Sequence, residues 1–421
     1  MNEYDSELVR SILLGNGFAE AGDQNSADVV LLNTCAVREN AHNRVYGRLQ
    51  QLTKLREERE FTIGVLGCMA QNLKTELLDN NLSVDLVVGP DSYRNLPVLI
   101  NEARRNGHHE IAIDLSEFET YDDIYPARRE GVNAWIAVMR GCNNFCTFCV
   151  VPYARGRERS RPLMSVVDET RRLVDEGYSQ VTLLGQNVNS YRHEGHNFAE
   201  LMAAVADVPG IRRVRFTSPH PKDFPDDLLE AIKNHPQICK HIHLPLQAGS
   251  DRILKMMRRL HTAEEYIGLV THIREIIPDI ILTTDIILGF PTETREEFME
   301  TLRVMEQVRF DSAFIFNYSE RKDTVAQRRW PDNVPKDEKR YRIMYLNDLQ
   351  KKISLEKNKR HIGETHEILV EGPSRRDSSD WSGRYDGGKS VIFAHADEKP
   401  GDYIKVKITN ATSIVLKGQK V

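Results

Sequence analysis

The sequence has few cysteines and tryptophans, and it has no long uninterrupted apolar run. Its 421 residues include 6 Cys and 3 Trp, which is too few cysteines for a secreted scaffold held by disulfides. The most apolar stretch, 276–290, is interrupted by Pro278, Asp279 and Asp285, so it is too short and too charged to span a bilayer. The first seven residues are acidic and lack the basic segment that opens a signal peptide. We therefore expect a cytoplasmic protein without a membrane span.

The chain also lacks an excess of positive charge. It has 57 Lys and Arg against 62 Asp and Glu, a formal net charge of −5, so no global basic field marks a nucleic-acid-binding protein. Basic residues are concentrated between 336 and 360, where nine Lys or Arg accompany four acids in a helical stretch. Any RNA binding must therefore be local. The 40% hydrophobic and 28% charged fractions are typical of a folded protein with about two to four domains.

Apolar runs alternate with charged helical stretches up to about residue 115. The runs lie at 29–32, 62–66, 84–88 and 111–113. This strand–helix–strand order predicts a parallel sheet covered by helices. Cys35 and Cys68 each follow one of these strands, at the sheet edge where such folds usually place their sites.

A second alternation, with a longer period, occupies the middle of the chain. Strands are predicted at 134–139, 181–184, 214–217, 241–244, 281–286 and 313–317. Six β/α units predict a partial (β/α)6 barrel, which places its chemistry at the carboxyl ends of the strands. Most of these ends carry polar residues, among them Gln186, Asn187, Ser218, Gln247 and Asp285.

After Gly363 the pattern changes to short strands separated by turns. Strands are predicted at 367–371, 390–393, 403–408 and 413–416. This order predicts a small all-β barrel of about 60 residues. The predicted fold class is therefore α/β, with a parallel N-terminal domain, a partial TIM-like barrel and a small β-barrel.

The strongest chemical signal is the spacing C-x3-C-x2-C. Cys142, Cys146 and Cys149 directly follow the first strand of the predicted barrel. Closely spaced thiolates hold iron–sulfur clusters, and three of them leave one iron of a four-iron cluster open to a small ligand. Structural zinc is the alternative, but it needs a fourth ligand, and the next histidine is His193.

The sequence around this motif resembles the methylthiotransferase family of radical S-adenosylmethionine (SAM) enzymes. MRG precedes the first cysteine of the motif, and VVPYARG follows the last. Further matching tracts are MNEYDSE at 1–7, NTCAVR at 33–38, GCMAQ at 67–71, LGQNVNSY at 184–191, HLPLQAGS at 243–250 and GFPTET at 289–294. The resemblance covers essentially the whole chain and is closest to the branch that modifies isopentenyladenosine in tRNA.

By this resemblance, Cys142, Cys146 and Cys149 hold a [4Fe–4S] cluster whose open iron binds SAM, and Phe148 lies near the SAM adenine. The cofactor would supply the radical chemistry while the protein positions it. For each candidate of the SAM pocket a structural capping role stays open. These candidates are Gln186, Asn187, Ser218, Gln247 and Asp285.

The family also holds a second [4Fe–4S] cluster through three N-terminal cysteines, and Cys35 and Cys68 match two of them. Two buried free cysteines are the alternative. In the family motif Gly-Cys-Gln precedes the segment with which this sequence begins, so we expect the third ligand just upstream of Met1; the alternative is a chain that lacks one ligand. Cys239 matches no ligand position, which indicates a core residue.

The implied activity is methylthiolation of C2 of N6-isopentenyladenosine in tRNA, next to the anticodon, with two SAM molecules and two [4Fe–4S] clusters. A flavodoxin- or ferredoxin-type electron donor and a monomeric enzyme are also implied. The implied domains are 1–115 with the auxiliary cluster, 128–357 as the radical SAM core and 360–421 as a TRAM domain. Such a barrel suits single-stranded or loop RNA. Its candidate RNA contacts are Arg375, Arg376, Arg384, Lys389, Trp381, Tyr385 and Phe393.

Three alternatives remain at this stage. Two share the chemistry: a threonylcarbamoyladenosine tRNA methylthiotransferase, and a ribosomal-protein methylthiotransferase that modifies an aspartate. The third belongs to a different class, a non-catalytic RNA-binding protein with a structural metal. It predicts that SAM is not consumed.

Overall fold

The computed structural model describes residues 1–421 apart from 37, 38, 80, 81, 108, 129, 130 and 375–378. The chain divides into two compact units. The first unit contains residues 1–129, 139–161 and 321–325, and the second contains 130–138, 162–320 and 326–421. The segment with the C-x3-C-x2-C motif therefore belongs to the first unit, although in sequence it follows a strand of the second.

A parallel sheet forms the centre of the first unit, as predicted. Its strands, in spatial order, are β1 (Val29–Thr34), β2 (Thr62–Gly67), β3 (Leu86–Val88) and β4 (Glu110–Ala112). Each strand runs parallel to the next. All six residues of β2 are buried, because a strand inside a parallel sheet is covered on both faces.

Helices from the first 129 residues pack on this sheet. Their bounds are α1 (Asn2–Gly15), α2 (Glu39–Arg56), α3 (Cys68–Leu73), α4 (Glu76–Asp79) and α5 (Leu96–Asn106). In α1 the buried residues Tyr4, Leu8 and Ile12 recur every fourth position, the spacing of one helix face.

The chain then enters the second unit as β5 (Ala134–Ala137) and returns to the first as β6 (Met139–Arg140). A short helix, α6 (Val151–Arg155), follows the cysteine motif, and β7 (Arg159–Ser160) pairs antiparallel with β6. The motif therefore lies in a loop that is closed at its base by a two-residue ladder.

The second unit continues with alternating helices and strands. The strands are β8 (Gln180–Leu184), β9 (Arg192–His193), β10 (His196–Asn197), β11 (Arg213–Phe216), β12 (His241–His243), β13 (Ile281–Leu288) and β14 (Ser312–Asn317). The helices are α7 (Leu163–Asp175), α8 (Phe198–Ala206), α9 (Asp226–Asn234), α10 (Asp251–Met256), α11 (Ala263–Ile276), α12 (Arg295–Val308), α13 (Val325–Arg329) and α14 (Lys336–Lys359).

Six strands of the second unit, the five parallel strands β8, β11, β12, β13 and β14 together with the earlier β5, form the predicted partial barrel. β5, β8 and β11 make one parallel sheet, and β12, β13 and β14 make another. An isolated parallel bridge joins Val214 of β11 to Ile238 in the segment just before β12. Three of the covering helices, α8, α11 and α12, begin with capping boxes at Asn197, Thr262 and Thr294, a local signal that fixes a helix start.

The C-terminal part of the second unit is a closed barrel. Its strands are β15 (Thr365–Pro373), β16 (Asp380–Arg384), β17 (Ser390–Ala394), β18 (Tyr403–Ala411) and β19 (Leu416–Lys420), in the spatial order β15-β16-β17-β19-β18. The predicted all-β barrel is confirmed, but two details were wrong. The sequence reading missed β16, and it placed the last strand at 413–416. Throughout the described chain, no helix is both long and apolar enough to cross a membrane.

Candidate active site

The base of the cysteine loop is held tightly by the backbone. The amide N–H of Cys142 donates to the carbonyl oxygen of Gly156 at 3.1 Å. Gly141 has a φ of +78°, and a Cβ at this position would overlap the carbonyl of Arg157. Only glycine meets both conditions. The MRG sequence before the motif is therefore a steric requirement of the loop.

The loop contains three thiols and few other ligand groups. Cys142 is buried, and Cys146 and Cys149 are half-buried. The N–H of Cys149 donates to the carbonyl of Cys146 at 3.0 Å, and the N–H of Val151 points at the Sγ of Cys149 at 3.4 Å. Amide hydrogen bonds to sulfur stabilise negative charge on cluster ligands. This soft, amide-assisted donor set fits a [4Fe–4S] cluster, and Phe148 lies half-buried in the same loop.

Cys35 and Cys68 lie at matching positions of neighbouring strands. In the parallel ladder of β1 and β2, Thr34 is opposite Gly67, so the two cysteines follow side by side at the carboxyl edge of the sheet. Cys68 is buried as the first residue of α3, and Cys35 is half-buried. Two thiols in this arrangement fit part of a cluster site, in agreement with the two family positions that they match.

The segment after the cysteine motif packs directly against Cys68. Helices α3 and α6 are in contact, and Cys68 shares an apolar cluster with Ala36, Val150 and Ala154. The Nε of Arg155 donates to the Sγ of Cys68 at 3.1 Å. Burial raises the pKa of this thiol, and the charge of Arg155 acts in the opposite direction. Within the first unit, the fold thus places the predicted auxiliary ligand beside the segment that carries the radical SAM motif.

A buried ionic network holds this arrangement together. The carboxylate of Asp5 is fully buried, lies 3.0 Å from Arg140 and also pairs with Arg155. Burial opposes its ionisation, but Arg155 and Arg140 outweigh burial and lower the pKa of Asp5. Nearby, Arg159 pairs with Asp91 at 2.9 Å. For Asp91 the effect of burial outweighs that of the arginines, so its pKa is raised.

The sequence reading did not single out this network. The available signal was position, because Asp5, Arg140 and Arg155 lie inside the matching tracts MNEYDSE, MRG and VVPYARG. Pairing across 135 and 150 residues of chain has no local pattern, so only the fold shows it.

In the second unit the strand ends carry strained and unsatisfied polar residues. Ser218 has a φ of +62° and Gln247 of +76°, a region that non-glycine residues rarely adopt and that is enriched at functional sites. Within the described chain, both amide atoms of Gln186 and the Oε1 of Gln247 are buried without a hydrogen-bond partner. Such groups are rare in folded proteins, and they fit a site that binds a polar ligand.

The other two predicted pocket residues already have partners. Asn187 donates from Nδ2 to the Oδ2 of Asp223 at 2.9 Å. The Oδ2 of Asp285 lies 3.3 Å from the Nε2 of His243. The main chain also joins two candidates, because the N–H of Gln247 donates to the carbonyl of Asp285 at 2.9 Å.

Two histidines near these strand ends, the buried His220 and the half-buried His261, are not among the predicted site residues. The rings of His220 and His261 lie 6.0 Å apart. Burial lowers the pKa of His220 to about 2 and that of His261 to about 4, so both are neutral imidazoles. Cys239, in the same unit, is 2% exposed, and burial raises the pKa of its thiol, as suits a core residue.

In the C-terminal barrel, three of the predicted RNA contacts have structural roles. Phe393 and Tyr385 lie in the apolar core, and Lys389 pairs with the buried Asp311 at 2.9 Å, so the prediction was wrong for them. Arg384 is about half exposed and pairs with Glu371, and the Trp381 ring stacks on His395 at 4.1 Å. Arg375 and Arg376 lie outside the described residues.

Family models match along most of the chain. The family described as Uncharacterized protein family UPF0004 matches residues 1–89, the Radical SAM superfamily matches 136–305 and the TRAM domain matches 359–421. Among solved structures, the radical SAM methyltransferase TsrM from Kitasatospora setae is similar with a TM-score of 0.57 and 16% identity over 75% of this chain and 72% of that chain. A likeness at this identity supports the radical SAM fold of the central region.

Sequence relatives extend over the full chain. A tRNA-2-methylthio-N(6)-dimethylallyladenosine synthase of Bacteroides thetaiotaomicron is 46% identical over 100% of this chain and 94% of its own length. An enzyme of the same name from Chloroherpeton thalassium is 47% identical over 99% of this chain and 93% of its own length. The chain is a radical SAM enzyme whose cofactors are SAM and [4Fe–4S] clusters. It belongs to the family of tRNA-2-methylthio-N(6)-dimethylallyladenosine synthases.

Proposed function

We propose that this chain methylthiolates C2 of N6-isopentenyladenosine in tRNA, next to the anticodon on its 3′ side. The observation that carries this proposal is identity of about 46% over the whole chain to enzymes named for that product. The cysteines add chemical support, because both expected sets of thiols, the three of the C-x3-C-x2-C motif and the pair Cys35 and Cys68, occur within one unit. The product requires replacement of an aromatic C–H by C–S.

In this proposal Cys142, Cys146 and Cys149 hold the radical SAM cluster. When bound, a [4Fe–4S] cluster and SAM supply the one-electron chemistry that breaks an unreactive C–H bond. The protein presents the thiolates from one loop and directs the Val151 N–H to Cys149. It also limits water at Cys142, which is buried, and so protects reactive species from quenching.

Cys35 and Cys68 hold the auxiliary cluster in this proposal. Arg155 is a positioning residue, because its guanidinium donates to Cys68 and pairs with Asp5 at the same time. A fixed positive charge beside a sulfur ligand favours the thiolate over the thiol. The Asp5 carboxylate keeps that guanidinium oriented in a buried environment.

Gln186 and Gln247 are the leading candidates for SAM binding in the second unit. Their unsatisfied amide atoms can donate to or accept from the amino acid or ribose part of SAM. Ser218 and Asp285 contribute polar groups from neighbouring strand ends, Asn187 positions the adjacent turn through Asp223, and Phe148 contacts the adenine.

We further propose three functional domains, at 1–115, 128–357 and 360–421, with the last one binding tRNA. The exposed Arg384 and the Trp381–His395 stack are its best-placed RNA contacts, since stacking on aromatic rings is a general mode of RNA binding.

The proposed setting is the reducing cytoplasm, where cysteines stay available to metal. We propose a monomer and a flavodoxin- or ferredoxin-type electron donor.

Mass spectrometry of tRNA nucleosides tests the substrate. A strain that lacks the gene should lose 2-methylthio-N6-isopentenyladenosine and accumulate N6-isopentenyladenosine, and the wild-type gene should restore the product. Persistence of this nucleoside, with loss of a methylthiolated threonylcarbamoyladenosine or of a ribosomal methylthio-aspartate, would contradict the substrate assignment.

A further inference from the structure

Three side chains where the chain passes from α14 into β15, the first strand of the C-terminal barrel, direct their ligand atoms at one another. The Nδ1 of His361 lies 2.7 Å from the Oε2 of Glu364, and the Nε2 of His366 lies 3.0 Å from the same oxygen. The two ring nitrogens are 3.2 Å apart. Two imidazole nitrogens and one carboxylate oxygen thus form a triangle with edges of 2.7, 3.0 and 3.2 Å.

The backbone fixes the turn that carries these residues. His361 follows the end of α14, His366 lies in β15, and Glu364 is in the turn between them. The N–H of Glu364 donates to the carbonyl of His361 at 3.0 Å, and the Glu364 carbonyl accepts from Ile408 at 2.9 Å. Because β18 holds the turn from the other side, the three side chains are arranged before any ligand arrives.

A buried tyrosine supports both rings. The ring of Tyr385 lies 4.5 Å from that of His366 and 5.6 Å from that of His361. Its Oη is 3.5 Å from the Nε2 of His361. A histidine whose one ring nitrogen hydrogen-bonds to a neighbouring group presents its other nitrogen as a ligand, as metal-binding histidines usually do.

We propose that His361, Glu364 and His366 bind a divalent first-row cation of the zinc type. Zinc takes nitrogen and oxygen ligands at about 2.0–2.2 Å in tetrahedral geometry, so its ligands stand about 3.3–3.5 Å apart. To reach that spacing, the triangle has to open by about 0.1–0.3 Å at its longest edge and by about 0.6–0.8 Å at its shortest. The carboxylate of Glu364 supplies negative charge that favours a cation, and a fourth position stays open to water.

This site is chemically distinct from the cysteine sites. Its donors are nitrogen and oxygen, which do not hold iron–sulfur clusters of the all-cysteine kind, and its residues belong to the second unit. A metal here would fasten the end of α14 to β15, and Tyr385 would extend that link to β16. The expected role is to stabilise the connection between α14 and β15, the first strand of the barrel.

X-ray absorption at the zinc edge tests the site on the full-length enzyme with its clusters reconstituted. One equivalent of zinc is added and unbound metal is removed by desalting. We expect about one retained zinc with only nitrogen and oxygen neighbours near 2.0 Å, and an unchanged iron content. No retained zinc, or a sulfur shell at about 2.3 Å, would overturn the proposal.

Variants locate the metal. Glu364→Ala, at a half-exposed side chain, and His366→Gln should each reduce retained zinc from about one per chain to nearly none, because two ligands bind zinc weakly. The matched control is His395→Gln in the same barrel, which should retain zinc. Added zinc should raise the melting temperature of the control and leave that of Glu364→Ala unchanged. If Glu364→Ala and His366→Gln both keep the zinc, the zinc does not bind at these residues and the proposal is overturned.

Discussion

The cysteine-bearing segment and the C-terminal barrel are stabilised by different forces. Around the motif, Asp5 and Arg140 are 0% and 1% exposed and form a buried ion pair. The core of the barrel is apolar, with Phe393, Ile408 and Val406 at 2% exposure or less. Buried ion pairs cost desolvation and tolerate no loss of a partner, whereas apolar cores tolerate small changes of shape. The costly interaction is found where thiol groups must be positioned for chemistry.

The largest expected effect is at the motif itself. Cys146→Ala removes an anionic ligand, so we expect loss of all turnover and a fall in iron from about eight to about four per chain. Iron analysis and 5′-deoxyadenosine formation measure these two quantities. Formation of 5′-deoxyadenosine by this variant at the wild-type rate would refute the ligand assignment.

Next in size is the auxiliary site. Cys35→Ala should stop methylthiolation and leave SAM cleavage partly intact, because only the second cluster loses a ligand. The control is Cys239→Ala, a buried cysteine that matches no ligand position, which should retain both reactions. Methylthiolation by Cys35→Ala at the level of the control would show that Cys35 holds no cluster needed for sulfur transfer.

An almost isosteric change in the ionic network should strongly destabilise the first unit. Asp5→Asn leaves Arg140 and Arg155 buried against a neutral group, which costs about 3–5 kcal/mol. Denaturant titration with a probe in the first unit measures the loss. Asp114→Asn, at an exposed carboxylate of the same unit, should change stability by less than about 0.5 kcal/mol. Equal stability of the two variants would mean that the network does not hold this region.

The smallest effect is predicted for the barrel core. Ile408→Val deletes one buried methylene and should cost about 0.5–1.5 kcal/mol, and methylthiolation should be unchanged. Ile414→Val, at a residue that is 72% exposed, is the control and should be close to neutral. A loss at Ile408 as large as that at Asp5 would remove the contrast between the two regions.

Local patterns made most of the fold predictable. Helical spacing in the sequence predicts helices at 226–234, 263–276 and 295–308, and α9, α11 and α12 have these bounds. Helical spacing is encoded within a few residues, and so are the capping boxes of α11 and α12. The thiol positions were predictable for the same reason, because a spacing motif is local.

Features set by distant neighbours were not predictable. Strand β16 contains Gly383, a residue that normally weakens a strand. Here a Cβ at Gly383 would overlap the carbonyl of Leu369, so the close approach of β15 requires the glycine. The Asp5–Arg155 pair and the burial of Phe393 likewise depend on contacts that form only in the folded chain.

The most direct test is an anaerobic reaction of the reconstituted enzyme with SAM, dithionite and tRNA that carries N6-isopentenyladenosine. The account predicts that 5′-deoxyadenosine and 2-methylthio-N6-isopentenyladenosine both form, and that neither forms with Cys146→Ala. Absence of 5′-deoxyadenosine above background from fully loaded wild-type enzyme would contradict the claim that Cys142, Cys146 and Cys149 carry radical SAM chemistry.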